Sequence, residues 1–291
     1  MMKEAILYEK SEGNKVKCVA CNHKCNIAEG KRGICGVREN SQGTLYTLNY
    51  GKTVAAHIDP IEKKPLYHFL PGTMIYSFAA VGCNFRCSWC QNWEIAQSPK
   101  PSKPIDGSDV SPKEHVQRAI KYECPSIAYT YSEPTIFVEY ALDTMKLARG
   151  EGLKNVWVTN GYMSRETLDM VIPFLDATNV DFKGPNDGVY EKYCGGTAEP
   201  VMDNLKYLYE AGVHLEITTL IVPGINDKPG QLEKIARFIA RELSRDVPWH
   251  ISRFFPAWKM MDTPITPLET LESAKAIGQS EGLKHIHVGN V

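Results

Sequence analysis

The stretch Cys83-Asn84-Phe85-Arg86-Cys87-Ser88-Trp89-Cys90 carries three thiols at the spacing C-x3-C-x2-C. It follows an apolar run at 74–81, which predicts that the thiols lie in a loop after a buried strand. Thiolates are soft ligands that suit iron–sulfur clusters and zinc. A cubane cluster normally takes four cysteine ligands, so a loop with three leaves one iron open to a small molecule. The alternatives are a zinc knuckle or three unrelated buried thiols.

A second group of thiols lies within residues 1 to about 40 and consists of Cys18, Cys21, Cys25 and Cys35. Their spacing is C-x2-C-x3-C-x9-C, and a C-x2-C pair is the usual half of a structural zinc site. The same four thiolates can instead hold a second iron–sulfur cluster, and free thiols in a loop are the third option. We interpret His23, which lies among them, as a neighbour of the site and not as a ligand.

The totals of the sequence exclude several classes of protein. With 291 residues the chain holds one large or two medium domains, and 43% hydrophobic and 23% charged residues are ordinary for a globular protein. A net charge of −1 gives no bulk argument for binding to nucleic acid or to an anionic membrane. No apolar run approaches the length of a membrane span, and the first residues lack a signal-peptide core, so we expect a cytoplasmic protein. Nine cysteines in a reducing compartment indicate metal or redox use and not disulfides.

From residue 74 onward the sequence alternates strand-like and helix-like patterns. Apolar runs, several of them rich in β-branched or aromatic residues, occur at 74–81, 126–131, 155–159, 177–182, 214–222 and 249–255. Helical signals follow each run, including capping boxes that begin at Ser111 and Thr266 and a capping Ser164. Six strand–helix units in a row predict a parallel sheet with helices outside, either doubly wound or curved into part of a barrel.

Two of the strand ends carry polar residues that can bind a ligand. Ser132 and Glu133 follow the run 126–131, where the carboxylate can accept a charge-assisted hydrogen bond from an ammonium group. The structural alternative is that Ser132 caps a helix with Glu133 in its first turn. Asn160 follows the next run and can offer a donor and an acceptor to ribose hydroxyls, or it can simply form an Asn-Gly turn.

The later strands carry further charged residues. Asp181 and Lys183 share one face of a strand by alternation, and they form either a ligand-binding pair or a solvated pair. Glu216 lies on the inward face of the fifth run and needs a partner there, which is either a ligand or Lys183. His250 on the sixth run is either a ribose contact or a satisfied core residue.

Three other features complete the pattern. The Pro-rich segment 59–72 leads into the first strand of the repeat and either lines the site or serves as a structural linker. The loop 256–261 is predicted to be a lid on the substrate side. Cys124 and Cys194 are interpreted as buried or incidental thiols.

These motifs together resemble the radical S-adenosylmethionine (SAM) enzymes of the pyruvate formate-lyase activating type. The resemblance rests on the C-x3-C-x2-C motif with Trp89 before its last cysteine and on the Asp-x-Lys at 181–183. It also rests on the turn Val-Pro-Gly-x-Asn-Asp at 222–227 and on Glu133-Pro134, where Tyr131 and Ser132 replace the glycines usual in the family. The resemblance implies a partial (β/α)6 TIM-like barrel at 71–291 behind a small Cys-rich N-terminal extension at 1–70. That extension is similar to the one of the AmmeMemoRadiSam-system radical SAM proteins.

The resemblance also implies the chemistry. Cys83, Cys87 and Cys90 would bind a 4Fe–4S cluster whose open iron chelates SAM, and reductive cleavage of SAM would give a 5′-deoxyadenosyl radical that abstracts hydrogen from a substrate. The SAM contacts would be Trp89, Ser132, Glu133, Asn160, Asp181, Lys183, Glu216 and His250. The reductant would be a flavodoxin or ferredoxin, and the substrate either a glycine of a partner protein or a small molecule. The competing hypothesis is an iron–sulfur or zinc scaffold or electron carrier without radical catalysis. Relatives usually continue past a Gly-Asn-Val like residues 289–291 into a tail with another C-x2-C, so a truncated chain is expected.

Overall fold

The first part of the chain consists of short strands. The computed structural model describes residues 2–100 and 103–291. Seven strands come first: β1 (Lys3–Glu4), β2 (Tyr8–Lys10), β3 (Val16–Cys18), β4 (Asn26–Ile27), β5 (Arg38–Ser41), β6 (Thr44–Thr47) and β7 (Lys52–Thr53). They form two antiparallel three-stranded sheets, in the orders β1-β6-β5 and β2-β3-β4, while β7 pairs with β10 (Ser108–Asp109).

An eight-stranded sheet forms the body of the molecule. Its strands are β8 (Ala55–Pro60), β9 (Met74–Ala79), β11 (Ser126–Tyr129), β12 (Lys154–Thr159), β13 (Ala177–Asp181), β14 (His214–Ile221), β15 (Trp249–Arg253) and β16 (Ile286–Gly289). The order is β16-β15-β14-β13-β12-β11-β9-β8, and every neighbouring pair is parallel except β8 with β9. Each of the six predicted runs therefore contains a strand, in chain order, as a partial TIM-like barrel requires.

The helices alternate with these strands. They are α1 (Trp93–Ala96), α2 (Pro112–Lys121), α3 (Val138–Gly150), α4 (Arg165–Val171), α5 (Asp187–Val189), α6 (Glu199–Glu210), α7 (Pro229–Phe238) and α8 (Leu268–Ser280). The predicted capping box at Ser111 and the cap at Ser164 are confirmed. The prediction of a capping box at Thr266 is wrong, because the Thr266 hydroxyl donates to the Ile221 carbonyl and Pro267 is the N-cap of α8. Within the described ranges, each helix is too short or too polar to cross a membrane.

The interior of the barrel is closed at its amino-terminal end by the segment 61–70, which we call the plug. Ile61 and Leu66 of the plug are fully buried against inward-facing side chains of four strands, Ile75, Ala128, Val156 and Ala177. The Asn179 amide donates to the Pro65 carbonyl at 2.7 Å, which fixes the plug to β13. The plug therefore fills the interior of the barrel at one end, and the barrel stays open at the carboxyl ends of its strands.

A buried histidine lies between helix α2 and the sheet. The ring of His115 stacks on Phe78 at 3.8 Å, and its nitrogens contact the hydroxyls of Tyr140 at 2.6 Å and Tyr76 at 3.0 Å. Burial, assisted by nearby Arg118, lowers the pKa of His115 to about 3. The neutral ring is therefore the form that the folded protein holds.

This histidine predicts acid-sensitive stability. Below its unfolded pKa of about 6.5 the unfolded chain binds a proton that the folded chain does not, so stability falls as the pH drops. We expect a loss of up to ~1.4 kcal/mol per pH unit below about 6.5 from this group. Urea titrations at several pH values should show that the stability of His115→Gln depends less steeply on pH than that of wild type. Equal slopes for His115→Gln and wild type would contradict the assignment.

Candidate active site

A cavity of about 350 Å³ lies at the carboxyl ends of the parallel strands. The loops after β9, β11, β12 and β13 supply most of its walls, as expected where strands of one direction end together. Nine of the predicted site residues line it: Cys83, Cys87, Trp89, Cys90, Ser132, Glu133, Asn160, Asp181 and Lys183. One cavity therefore brings together side chains from four separate strand ends.

The three thiols occupy one loop that faces this cavity. The loop is held by the segment 190–196, because Arg86 N donates to the Cys194 carbonyl at 2.8 Å and Ser88 N donates to the Tyr193 carbonyl at 2.9 Å. Burial raises the pKa of the Cys90 thiol to about 11, and a hydrogen bond with the Cys194 thiol lowers the pKa of Cys87. Cys194 is thus a neighbour of the thiol loop and not an incidental thiol, a contact that the sequence did not reveal.

The donor set of the thiol loop suits a soft metal centre. In the described part of the chain, no three His, Cys, Asp or Glu side chains are grouped to hold one metal ion. Ligands of one zinc ion lie within ~2.3 Å of the same point, whereas the thiolates of a cubane bind different iron atoms and stand farther apart. The donor set and the adjacent 350 Å³ of space therefore suit a cluster with a bound small molecule.

Glu133 organises the neighbouring strand ends. Its buried carboxylate accepts hydrogen bonds from Thr135 N at 3.1 Å, Thr159 Oγ1 at 2.8 Å and Asn160 N at 2.8 Å. It also accepts the hydroxyl of Thr135, and burial raises its pKa. Glu133 itself is the N-cap of the 3₁₀ turn Pro134–Phe137, so the alternative that Ser132 caps this helix is wrong. The Ser132 hydroxyl instead donates to the Ala80 carbonyl at 2.6 Å, next to the thiol loop.

Asn160 links its turn to the thiol loop. Its amide donates to Asn84 Oδ1 at 2.7 Å, and its own Oδ1 accepts from Tyr162 N at 3.0 Å. The next residue, Gly161, has φ +76°, and an added Cβ would lie 2.9 Å from both Val180 and Val201. Asn160 is therefore part of the tight Asn-Gly turn and also faces the cavity.

Asp181 and Lys183 both face the cavity, as the alternation predicted. Their side chains form an ion pair of 2.7 Å, in which the Lys183 side chain is 4% exposed and that of Asp181 is 42% exposed. Burial acts to lower the pKa of Lys183, but the nearby Asp181 raises it well above its usual value. The cavity therefore holds a permanently charged ammonium group close to the thiol loop.

Glu216 and His250 lie outside the residues that line this cavity. The Glu216 carboxylate accepts from the backbone N–H groups of Tyr67 at 3.0 Å and His68 at 2.8 Å, both in the plug. The rings of His214 and His250 contact it at 3.0 and 2.6 Å. Burial acts to raise the pKa of Glu216, but these hydrogen bonds hold it well below its ordinary range. The partners of the inward carboxylate are therefore the plug and two histidines, not Lys183, and a contact of Glu216 or His250 with SAM stays a prediction.

The plug also supplies cavity residues that the sequence did not identify individually. Lys63, Lys64 and Pro65 also line the cavity, and Tyr131 lies beside Lys64. The segment 59–72, which contains the plug, thus both fills the barrel and forms a wall of the site. Its Pro-rich, doubly basic composition was the only signal. The loop 256–261 supplies none of the described lining residues, although Lys259 N donates to the Ser88 carbonyl at 3.1 Å.

The four N-terminal cysteines surround a second, much smaller cavity. Cys18, Cys21, Cys25 and Cys35 line a space of about 10 Å³ together with His23 and Asn84. Burial raises the pKa of Cys35 to about 11 and raises the pKa values of Cys18 and Cys21. The His23 ring contacts the Asn84 carbonyl at 2.8 Å, so this group touches the thiol loop of the main cavity.

A parallel α/β barrel with a three-thiol loop at its carboxyl end is the architecture of enzymes that combine a cluster with a small-molecule cofactor. The model of the Radical SAM superfamily matches residues 79–239, and the chain belongs to this superfamily. The protein MJ0808 of Methanocaldococcus jannaschii, itself uncharacterized, is 48% identical over 290 residues, covering 100% of this chain and 86% of that protein. The pyruvate formate-lyase-activating enzyme of Clostridium pasteurianum is 22% identical over 70% of this chain and 88% of its own.

Solved structures show the same fold at low sequence identity. A radical SAM methyltransferase from Sphaerobacter thermophilus has a TM-score of 0.56 and 16% identity, over 77% of this chain and 68% of its own. SuiB of Streptococcus suis, bound to the precursor peptide SuiA, has a TM-score of 0.57 and 13% identity, over 74% of this chain and 48% of its own. The predicted fold class, a partial TIM-like barrel, is confirmed. The closer similarity to AmmeMemoRadiSam-system proteins stays a prediction.

Proposed function

We propose that this chain is a radical SAM oxidoreductase that binds a 4Fe–4S cluster through Cys83, Cys87 and Cys90 and SAM in the adjoining cavity. The observation that carries the proposal is the convergence of these thiols with Asn160, Asp181 and Lys183 on one cavity of about 350 Å³. When bound, the cluster with SAM supplies reductive cleavage of SAM to the 5′-deoxyadenosyl radical that abstracts hydrogen. The substrate is a glycine of a partner protein or a small molecule, and the reductant is a flavodoxin or ferredoxin in the cytoplasm.

The residues of the chain bind and orient the cofactor in this proposal. Lys183 neutralises the methionine carboxylate of SAM, and Asp181 keeps the Lys183 ammonium group in place. Asn160 and Ser132 offer polar atoms at neighbouring strand ends, while the four hydrogen bonds of Glu133 fix the relative position of those ends. Trp89, which is 4% exposed, packs against Tyr193 and shields the thiol loop from water.

We propose that the N-terminal thiols hold a metal centre of their own in a Cys-rich extension at 1–70, which precedes the barrel at 71–291 in the chain and contributes strand β8 and the plug to it. Their convergence on one small cavity supports a bound metal, either a second cluster or zinc, and zinc would have to draw the thiols closer together than they stand here. Metal analysis of purified protein distinguishes these alternatives. One equivalent of zinc supports a zinc site, and twice the iron of one cubane supports a second cluster.

Anaerobic reconstitution followed by SAM and dithionite tests the main proposal. We expect 5′-deoxyadenosine to form in an amount that depends on the loaded cluster. A fully loaded cluster that forms none would favour the scaffold or electron carrier, and a protein that takes up no cluster would overturn the proposal.

Lys183→Ala is expected to weaken SAM binding while the cluster stays loaded. Removing one partner of a sheltered charge pair costs on the order of 2–5 kcal/mol, and we expect the lower end because a bound cluster would also attract the carboxylate. Asp181→Ala should show a smaller defect, since water reaches its half-exposed side chain. The measurement is SAM titration of the reconstituted protein. Lys154→Ala, which breaks a similar 2.9 Å pair with Asp176 at the start of β12, is the matched control. Equal SAM affinity for Lys183→Ala and wild type would remove Lys183 from the site.

A further inference from the structure

The part of the cavity wall that the plug supplies carries a lysine that the proposed SAM chemistry does not use. Lys64 lines the cavity and is 3% exposed, although it comes from the plug and not from a strand end. Lysine is rarely buried to this extent unless it is paired. Its ammonium lies 2.7 Å from Asp59 Oδ2 and 3.5 Å from the hydroxyl of Tyr131.

Asp59 and Tyr131 hold this ammonium in one position. The Tyr131 hydroxyl donates to the same Asp59 oxygen at 2.7 Å, and the ammonium lies 4.8 Å over the Tyr131 ring. Partial burial acts to raise the pKa of Asp59, but the hydrogen bonds from Lys64 and Tyr131 lower it, so the carboxylate stays ionised. Tyr131 has φ +62°, a left-handed conformation that is unfavourable for a bulky residue and often marks functional sites.

The charges on this wall do not cancel. Lys63 lies 3.8 Å from the other oxygen of Asp59, so two ammonium groups share one carboxylate. The nearest acidic residues that line the cavity are already engaged, Glu133 by four hydrogen bonds and Asp181 by Lys183. Burial lowers the pKa of Lys64, which means that a further anion would stabilise its charged form.

The wall is also rigid. Ile61 and Leu66, on either side of the lysine pair, are packed inside the barrel, and the Pro65 carbonyl accepts from Asn179 at 2.7 Å. The backbone of Tyr67 and His68 is held by Glu216. A recognition group that is fixed in this way loses little conformational freedom when a ligand binds.

We propose that Lys64, oriented by Asp59 and Tyr131, binds an oxyanion group of the substrate, a carboxylate or a phosphate, in the cavity that the thiol loop also lines. This inference rests on the proposed function, because it assigns the substrate half of the same cavity. It defines the substrate class as a molecule or peptide with an anionic group near the hydrogen to be abstracted.

The test uses reconstituted, SAM-loaded protein and calorimetric titration with succinate, with inorganic phosphate and with neutral succinamide. We expect one or both anions to bind and succinamide not to bind, and the stronger anion identifies the oxyanion class. Lys64→Met should weaken anion binding at least about tenfold, as expected for a lost hydrogen bond to a charged group. Lys64→Arg should retain most of it. Lys284→Met, which removes a surface lysine paired with Asp246 at 2.8 Å, should bind anions like wild type.

Several outcomes would overturn the inference. They are no anion binding to wild type, equal binding by Lys64→Met, or a loss of SAM affinity in Lys64→Met with anion binding retained. If Lys64→Met does not fold because Asp59 is left alone, Asp59→Asn combined with Lys64→Met removes both charges and gives the same comparison. Wild-type 5′-deoxyadenosine formation is measured in parallel. Its absence refutes the proposed function, whereas its presence without anion binding refutes only the role of Lys64.

Discussion

Replacing Cys83, Cys87 or Cys90 singly with Ala is expected to abolish the iron–sulfur absorbance and reduce 5′-deoxyadenosine formation to background. Each thiol lines the same cavity, and a cluster held by two cysteines has lost a third of its protein ligands. The barrel should stay folded, because its inner core consists of apolar side chains from the strands and the plug. The measurements are anaerobic absorbance, iron content and 5′-deoxyadenosine, with circular dichroism for the fold.

Cys124→Ala is the matched control for these variants. Cys124 is also a buried thiol, but it lies after helix α2, where its sulfur contacts the Tyr122 carbonyl at 3.6 Å. It should keep full cluster absorbance and full SAM cleavage. A Cys90→Ala protein that behaves like Cys124→Ala would refute the assignment of the thiol loop.

Arg38→Met is expected to destabilise the fold strongly. The guanidinium of Arg38 forms a bidentate pair with Glu139 on helix α3, at 2.9 and 2.7 Å, and the two side chains are 2% and 1% exposed. Removing one partner of a buried pair leaves an uncompensated charge and costs on the order of 3–5 kcal/mol. The pair joins the N-terminal sheets to the barrel, so the loss should appear as a lower midpoint in urea unfolding.

Two further variants separate the buried charge from the lost contact. Arg38→Met combined with Glu139→Leu removes both charges and should recover most of the stability, because apolar pairs replace buried ion pairs well. Arg237→Met breaks a 2.7 Å pair with Glu281 on the surface and should cost at most about 1 kcal/mol. An Arg38→Met protein as stable as Arg237→Met would show that the buried pair contributes little.

The fold was largely predictable because parallel strands buried on both faces leave continuous apolar runs in the sequence. The run at 74–81 is an example, and it contains strand β9 of the main sheet. Strand β16 was missed because it is short, only partly buried and contains His287 among its four residues. Strand β8 lies in the N-terminal part, where no repeat of strand and helix indicated that it would join the main sheet.

The positions of the candidate site residues were predictable where a side chain directly follows a strand. Asp181 and Lys183 share a face by alternation, and the parallel register then places them beside Asn160 and the thiol loop. Alternation predicted the face of the strand on which Glu216 lies but not its position along the barrel. Glu216 is in register with Asn179, two residues before Asp181, and contacts the plug there. The position of Lys64 depends on how the plug enters the barrel, and no local pattern of residues determines that.

The plug also has a consequence for the order in which the protein can be assembled during synthesis. Ile61 and Leu66 leave the ribosome before all the parallel strands, yet their partner Ala177 on β13 follows about 110 residues after Leu66. At translation rates of roughly 5–20 residues per second, the nascent chain carries this apolar segment without its full enclosure for roughly 6 to 20 seconds. The wall of the cavity that the plug supplies is thus synthesised before the other walls, and its apolar side chains are open to aggregation during this interval.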